Sequence, residues 1–260
     1  MIVDSHCHLN YFSSDEIQYI IDEAEKKGIL LMQTVCTTIS EFSNLLEIAN
    51  KYKQVYASVG VHPSNSAEGE SISVEKLVDL ANNKKVIGIG ETGLDFYKYD
   101  AHDKQEKSFL LHIDAARKVD LPVIIHSRNA DMRMKEVLTS EMKLKEFKGV
   151  MHCFASSKDL AMHVIDLGLY ISFSGILTFK NAIELQQIAR MVPLQQILVE
   201  TDSPFLCPEP YRGQKNHPAM TRIIVEYLSK LYNKNIDDIS KITTENFFRL
   251  FNKCSLDYNA

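Results

Sequence analysis

The chain has 260 residues, 45% of them hydrophobic, with a formal net charge of -5. That length suffices for one large domain with a substantial core, and no apolar run nears the roughly 18 residues of a membrane span. The negative balance gives no general attraction for nucleic acid, so a polyanionic substrate would have to be held by bound metal and a few local basic residues.

The N-terminus enters an apolar run at once, without the basic stretch and apolar core of a signal peptide, which predicts a cytoplasmic protein. Cys7, Cys36, Cys153, Cys207 and Cys254 are odd in number, widely spread and free of any CxxC pair, so reduced thiols are expected rather than disulfides or a structural zinc. Short β-branched runs begin near Ile2, Leu30, Val55, Val86, Val123, Gly149, Tyr170 and Ile197. Between them lie helical spacings such as Ile17-Ile20-Ile21-Ala24 and Leu110-Ile113-Ala116. Each strand must return to the same end through a crossover helix, so the sheet is parallel. Eight such repeats in this length predict an α/β fold of the (β/α)8 TIM-barrel type, one domain over 1–260. Two irregular stretches, Pro63 to Ser73 and Pro204 to Pro218, read as loops on the face where barrels do chemistry. The run Asn246-Phe247-Phe248-Arg249-Leu250-Phe251 reads as a helix closing over the barrel.

Six potential metal ligands stand at the ends of the strand-like runs: His6 and His8, Glu91, His126, His152 and Asp202. Singly, each has an ordinary alternative. A lone histidine at a strand end is more often a hydrogen-bonded structural residue, and Glu91 could cap the turn beside Gly90 and Gly93. Packing gives no reason for such residues to recur at one end of five strands, whereas a shared site does. Four imidazoles and two carboxylates suit two borderline divalent ions sharing a carboxylate and a water. His6 and His8, two apart on a strand, point the same way. Asp4 shares their parity and Glu200 that of Asp202; each could orient an imidazole or be an acid held by a buried hydrogen bond. By the same parity Cys7 and Cys153 should face the helices.

Ordered motifs carry a family resemblance. They are Asp4-Ser5-His6-Cys7-His8, Gly60-Val61-His62-Pro63, Gly90-Glu91-Thr92-Gly93-Leu94-Asp95, Pro122-Val123-Ile124-Ile125-His126-Ser127-Arg128, His152-Cys153-Phe154, Ser172-Phe173-Ser174-Gly175 and Val199-Glu200-Thr201-Asp202-Ser203-Pro204. The chain resembles TatD-type metal-dependent deoxyribonucleases, within the amidohydrolase-like superfamily. The resemblance implies a binuclear site, with His6, His8 and Asp202 on one ion, His126 and His152 on the other, and Glu91 bridging. It leaves zinc, manganese or magnesium open. Many members carry His where this chain has Tyr211, which puts a substrate contact at that position in question.

Substrate choice should then rest on neighbours. His62 follows the third strand, Arg128 the fifth, and Arg212 lies in the loop after the eighth. Guanidinium forks match phosphate oxygens, although most arginines are simply solvated. Phe96 or Tyr97 could stack on a base or be buried in the rim. The expected activity is hydrolysis of nucleic-acid phosphodiesters, DNA foremost, with Asp202 and Glu91 as catalytic residues and no obligate protein partner. The alternatives are a carbon-ester or cyclic-amide hydrolase of the same superfamily, such as an aminoacyl-tRNA deacylase, or a non-catalytic nucleic-acid-binding barrel. The arginine pair speaks against a small neutral amide, and the intact ligand set against a scaffold.

Overall fold

Each expected strand forms and begins within one residue of the expected start. A computed structural model describes residues 1–69, 71–98 and 100–254. The strands are β1 Ile2–Cys7, β2 Ile29–Thr34, β3 Val55–Val59, β4 Val86–Asp95, β5 Val123–Arg128, β6 Gly149–Met151, β7 Tyr170–Phe173 and β8 Ile197–Val199. They pair in chain order, all parallel. A parallel bridge from Cys7 to Ser203 joins the last strand's extension to the first, aided by His8 N donating to Ser203 O (2.8 Å) and Asp202 N to His6 O (2.9 Å). That closure makes the barrel, and it sets the Asp202 end beside the His6–His8 end.

The connecting helices are α1 Ser14–Lys26, α2 Phe42–Lys51, α3 Pro63–Glu68, α4 Val74–Ala81, α5 His102–Val119, α6 Asp131–Leu144, α7 Lys158–Asp166, α8 Ile183–Ala189, α9 Thr221–Tyr232 and α10 Ile236–Leu250. The spacing Ile17, Ile20, Ile21, Ala24 is the buried face of α1. Its start is fixed by Ser13 and Glu16, which satisfy each other's backbone N–H groups. Inside the barrel, Val3, Leu31, Ile87, Ile124, Val150 and Leu198 pack on Phe247, Leu250 and Phe251. The aromatic run near the C-terminus therefore plugs the N-terminal end of the barrel, as the sequence suggests, and leaves the other end for chemistry. No described helix is long and apolar enough to cross a membrane.

One expectation fails. The stretch read as a loop from Pro63 contains α3, whose first residue is Pro63 and whose N-cap is His62, its ring accepting from Ser64 N. Proline has no N–H to lose at the first helical position, and its φ is already helical. The Ser- and Glu-rich composition obscured this signal.

Candidate metal centre

Strand β4 is ten residues long and wholly buried, and its register against β5 shifts between Ile89 and Thr92. The shift turns Glu91 inward, and two glycines let the chains approach. A side chain at Gly93 would put its Cβ 2.1 Å from His126 O, and one at Gly90 would lie 2.6 Å from Ile124 O. Glu91 thus sits at the centre of the barrel mouth. At β8 the chain leaves the strand and Asp202 adopts φ 55, a left-handed conformation costing roughly 1–2 kcal/mol in a non-glycine residue. Hydrogen bonds from Asp202 N to His6 O and from Phe205 N to Asp202 O hold it there.

The six residues converge as two clusters that meet at Glu91. On one side, His6 Nε2 lies 3.3 Å from His8 Nε2, 3.4 Å from Glu91 Oε2 and 3.7 Å from Asp202 Oδ1, with His8 Nε2 3.3 Å from Asp202 Oδ1. On the other, Glu91 Oε1 lies 2.7 Å from His152 Nε2 and 3.1 Å from His126 Nδ1, and those nitrogens are 3.3 Å apart. Donors about 2.0–2.1 Å from a tetrahedral ion stand about 3.3–3.4 Å from one another, which the His6–His8, His6–Glu91, His8–Asp202 and His126–His152 spacings match, whereas the 2.7 Å between Glu91 Oε1 and His152 Nε2 is a direct hydrogen bond. Two facing ring nitrogens at such a distance share at most one proton, and a cation in its place would take both lone pairs. The donor set therefore fits divalent metal.

Surrounding groups fix which nitrogen faces inward. His8 Nδ1 donates to Val35 O at 3.1 Å, leaving Nε2 for the cluster. Glu200 Oε1 lies 3.4 Å from His152 Nδ1, while its Oε2 accepts from Ser172 Oγ at 2.5 Å. Of the two acids weighed as orienters, Glu200 faces an imidazole and Asp4 does not. Asp4 instead accepts from Thr201 N (2.9 Å) and Thr201 Oγ1 (2.6 Å), tying β1 to the end of β8. Burial pushes its carboxyl up to about 8. Asp95, which no sequence argument singled out as an acid, reaches 3.5 Å from His126 Nε2. It shares parity with Glu91, and the observed length of β4, which runs on to Asp95, carries that parity past Glu91.

The electrostatics are those of a proton-sharing cluster. Burial raises the Glu91 carboxyl, but His152 and His62 outweigh it and hold the group well below the usual carboxylate range. Burial likewise opposes the cation of His152, but Glu91 and Glu200 raise that imidazole well above its usual value. Desolvation is overcome at His8 by Asp202, and at His126 by Asp95 and Glu91, so both are raised. In His6 burial prevails, with His152 adding to it, and the group is lowered.

A cavity of about 1630 Å³ opens above the donors, lined among others by Tyr11, His62, Arg128, Cys153 and Phe205. His62 Nδ1 accepts from Ser64 N at 3.1 Å, which in the neutral ring places the remaining N–H on Nε2, 3.5 Å from Glu91 Oε1. Burial lowers this histidine to about 3, so it stays a neutral N–H donor beside the cluster. Arg128 lines the cavity with its guanidinium 3.9 Å above the Tyr97 ring. Arg212 does not line the cavity, and its guanidinium lies over Phe179 at 4.2 Å. Phe96 stacks on His102 at the rim. Cys7 is core, as expected, but Cys153 lines the cavity. Strand β6 ends at Met151 and Cys153 turns at φ 45, so strand parity no longer applies to it.

A (β/α)8 barrel with these donors at its mouth has the construction of a metal-dependent hydrolase, and relatives so described match it almost end to end. The uncharacterized metal-dependent hydrolase YcfH of Escherichia coli K12 is 40% identical over 256 residues, 96% of this chain and 95% of the relative. The corresponding YabD of Bacillus subtilis is 33% identical over 254 residues, 96% and 99% of the two chains. The crystal structure of YjjV, a TatD homolog from Escherichia coli, superposes with a TM-score of 0.89 at 28% identity, covering 96% and 98%. Residues 3–252 match the model of the TatD related DNase family, and the chain belongs to that family.

Proposed function

We propose that this metal-dependent hydrolase cleaves phosphodiester bonds of nucleic acid, DNA foremost, using two divalent ions. The observation that carries the reading is Glu91, whose Oε2 faces His6 and whose Oε1 faces His126 and His152 beneath a cavity edged by Arg128. His6, His8 and Asp202 would hold one ion, His126 and His152 the other, with Glu91 shared. Nitrogen-rich ligation favours zinc or manganese over magnesium on softness. When bound, such ions would supply Lewis acidity for a phosphoryl oxygen and for the attacking water. Asp202, ionised because His8 and His6 outweigh its burial, takes the proton of the attacking water. As the new oxygen–phosphorus bond forms and the leaving oxygen departs, that proton passes to the leaving oxygen. His62 offers a neutral N–H and Arg128 a planar cation to the phosphate. Arg212, set back over Phe179, would serve only a longer strand.

A non-catalytic role would leave the buried acid and imidazole cluster without purpose. A small cyclic amide would need neither Arg128 nor a cavity above the 300–1,000 Å³ of ordinary small-molecule pockets. An aminoacyl ester on transfer RNA would use the same phosphate contacts. The five free cysteines fit a reducing, cytoplasmic setting. The test is turnover of labelled single-stranded DNA, duplex DNA, RNA and aminoacyl-tRNA after metal removal and again after manganese or zinc is restored. Metal-dependent release of nucleotides supports the reading. Ester release from aminoacyl-tRNA without any phosphodiester cleavage would overturn it.

A further inference from the structure

Four residues beyond Glu91, strand β4 ends on an acid that the proposed reaction does not use. Asp95 is buried, and its two carboxylate oxygens face different partners. Oδ2 stands 3.5 Å from His126 Nε2, and Oδ1 accepts from Tyr97 N at 3.0 Å. His126 Nε2 is itself buried and has no well-directed hydrogen bond among the described residues, so Asp95 is the acid in reach of its proton.

The main chain of Asp95 is gripped from outside the barrel. Strand β3 pairs with β4 only as far as Ile89, so this edge of Asp95 has no strand beside it. Gln105, fully buried on α5, takes that place. It accepts from Asp95 N through Oε1 at 2.7 Å and donates through Nε2 to Asp95 O at 3.0 Å. Unpaired buried peptide groups are costly, so this clasp resists displacement of Asp95. Just beyond, Phe96 N donates to Arg128 O at 2.9 Å, and the Tyr97 ring lies under the Arg128 guanidinium at 3.9 Å. Tyr97 is 62% exposed, so burial does not hold its ring there, whereas the turn closed on Asp95 Oδ1 does.

We propose that Asp95, clasped by Gln105, is a positioning residue with two duties: one oxygen orients His126 towards the ion it shares with His152, and the other holds Tyr97 beneath Arg128. This deepens the two-ion reading above and rests on it. With its Nδ1 lone pair given to an ion, the neutral His126 ring carries its proton on Nε2. A carboxylate facing that proton fixes the tautomer and makes the ring a stronger donor. One buried acid thereby ties the donor cluster to the cation that edges the cavity.

Asp95→Asn separates the two duties. Its amide oxygen still accepts from Tyr97 N, which leaves the NH2 group facing His126, a donor where an acceptor is needed. Calorimetric titration of the metal-free protein with zinc should show two binding steps in the parent. In Asp95→Asn one step should weaken about 10–100-fold and the other stay unchanged. Affinity for a phosphorothioate oligonucleotide at saturating manganese, read by fluorescence anisotropy, should stay near the parent's in that variant. Asp95→Ala should weaken the same zinc step and also lower oligonucleotide affinity about two- to tenfold, because the bond to Tyr97 is lost too. Gln105→Ala leaves the carboxylate present but unclasped, and should weaken that zinc step by a smaller factor. Unchanged zinc affinity in Asp95→Asn, or equal weakening of both steps, overturns the proposal alone. Loss of the folded state in metal-free Asp95→Asn makes the acid a core residue and overturns it as well. Unchanged oligonucleotide affinity in Asp95→Ala overturns the Tyr97 duty. A parent that takes up one zinc overturns the proposal together with the two-ion reading, and a parent that binds no oligonucleotide overturns the Tyr97 duty together with the nucleic-acid reading.

Discussion

His112 is buried in α5, away from the donors, and its protonation should be the step by which acid weakens this barrel near its active loops. Its Nε2 accepts from Val61 N at 3.0 Å and its Nδ1 donates to Ser108 O at 2.7 Å, so the neutral ring is fully used. Val61 precedes His62, and the bond therefore fixes the turn that aims His62 at the cluster. Burial lowers His112 to about 4 from the usual 6.5. A group lowered in the fold is protonated first in the unfolded chain, so its stabilisation is present above pH 6.5 and lost as pH falls towards 4. Relative to pH 7, that loss is about 2 kcal/mol at pH 5 and about 3 kcal/mol at pH 4. Against a total of about 5–15 kcal/mol for a typical domain, this is a large share. Other histidines titrate in the same window, and the raised His8, His126 and His152 act with the opposite sign. The perturbation is therefore His112→Gln, which keeps an acceptor for Val61 N–H and removes the proton site. Urea unfolding of metal-free protein at pH 7, 5 and 4 should show the parent losing more stability than the variant by about those amounts. Parallel pH dependences for the two proteins would refute the reasoning.

Asp202→Asn keeps an oxygen ligand but no basic carboxylate, and turnover should fall about 10²–10⁴-fold at retained metal content, as judged by elemental analysis alongside kinetics. Near-native turnover at full occupancy would remove Asp202 from proton transfer. Metal content after saturation and desalting should approach two ions per chain and fall in His6→Ala; a plateau at one ion would discard the shared role of Glu91. Glu200→Gln should weaken metal binding about 10–100-fold in a calorimetric titration, because His152 loses its anionic neighbour. Unchanged affinity would make Glu200 a purely structural acid. Arg128→Lys keeps the charge and loses the planar fork stacked over Tyr97, and should lower oligonucleotide turnover more than that of a small phosphodiester. Equal effects on both would return Arg128 to a solvated side chain.

The barrel was legible because its signals are local and repeated. Short β-branched runs and three- to four-residue apolar spacing recur at the strand and helix positions that the structure confirms. The donors were legible as a set because histidines and acids at strand ends have no packing reason to recur in step. What stayed hidden depends on departures from regular strand geometry. Parity predicted the facing of Cys7 correctly and of Cys153 wrongly, since β6 stops at Met151 and φ at Cys153 is 45. Parity alone also could not rank Asp4 against Glu200. Thr201 N–H and hydroxyl claim Asp4, a choice set by closure of β1 on β8, between residues almost two hundred positions apart. The same closure brings Tyr11 and Phe205 together, a contact invisible in either segment. The donors of this chain therefore stand at strand ends that a sequence displays, whereas contacts made between β1 and the segment after β8 appear only in the closed barrel. Engineering follows from that division. Changes at Arg128 should move substrate preference while leaving the donor spacings at Glu91 intact.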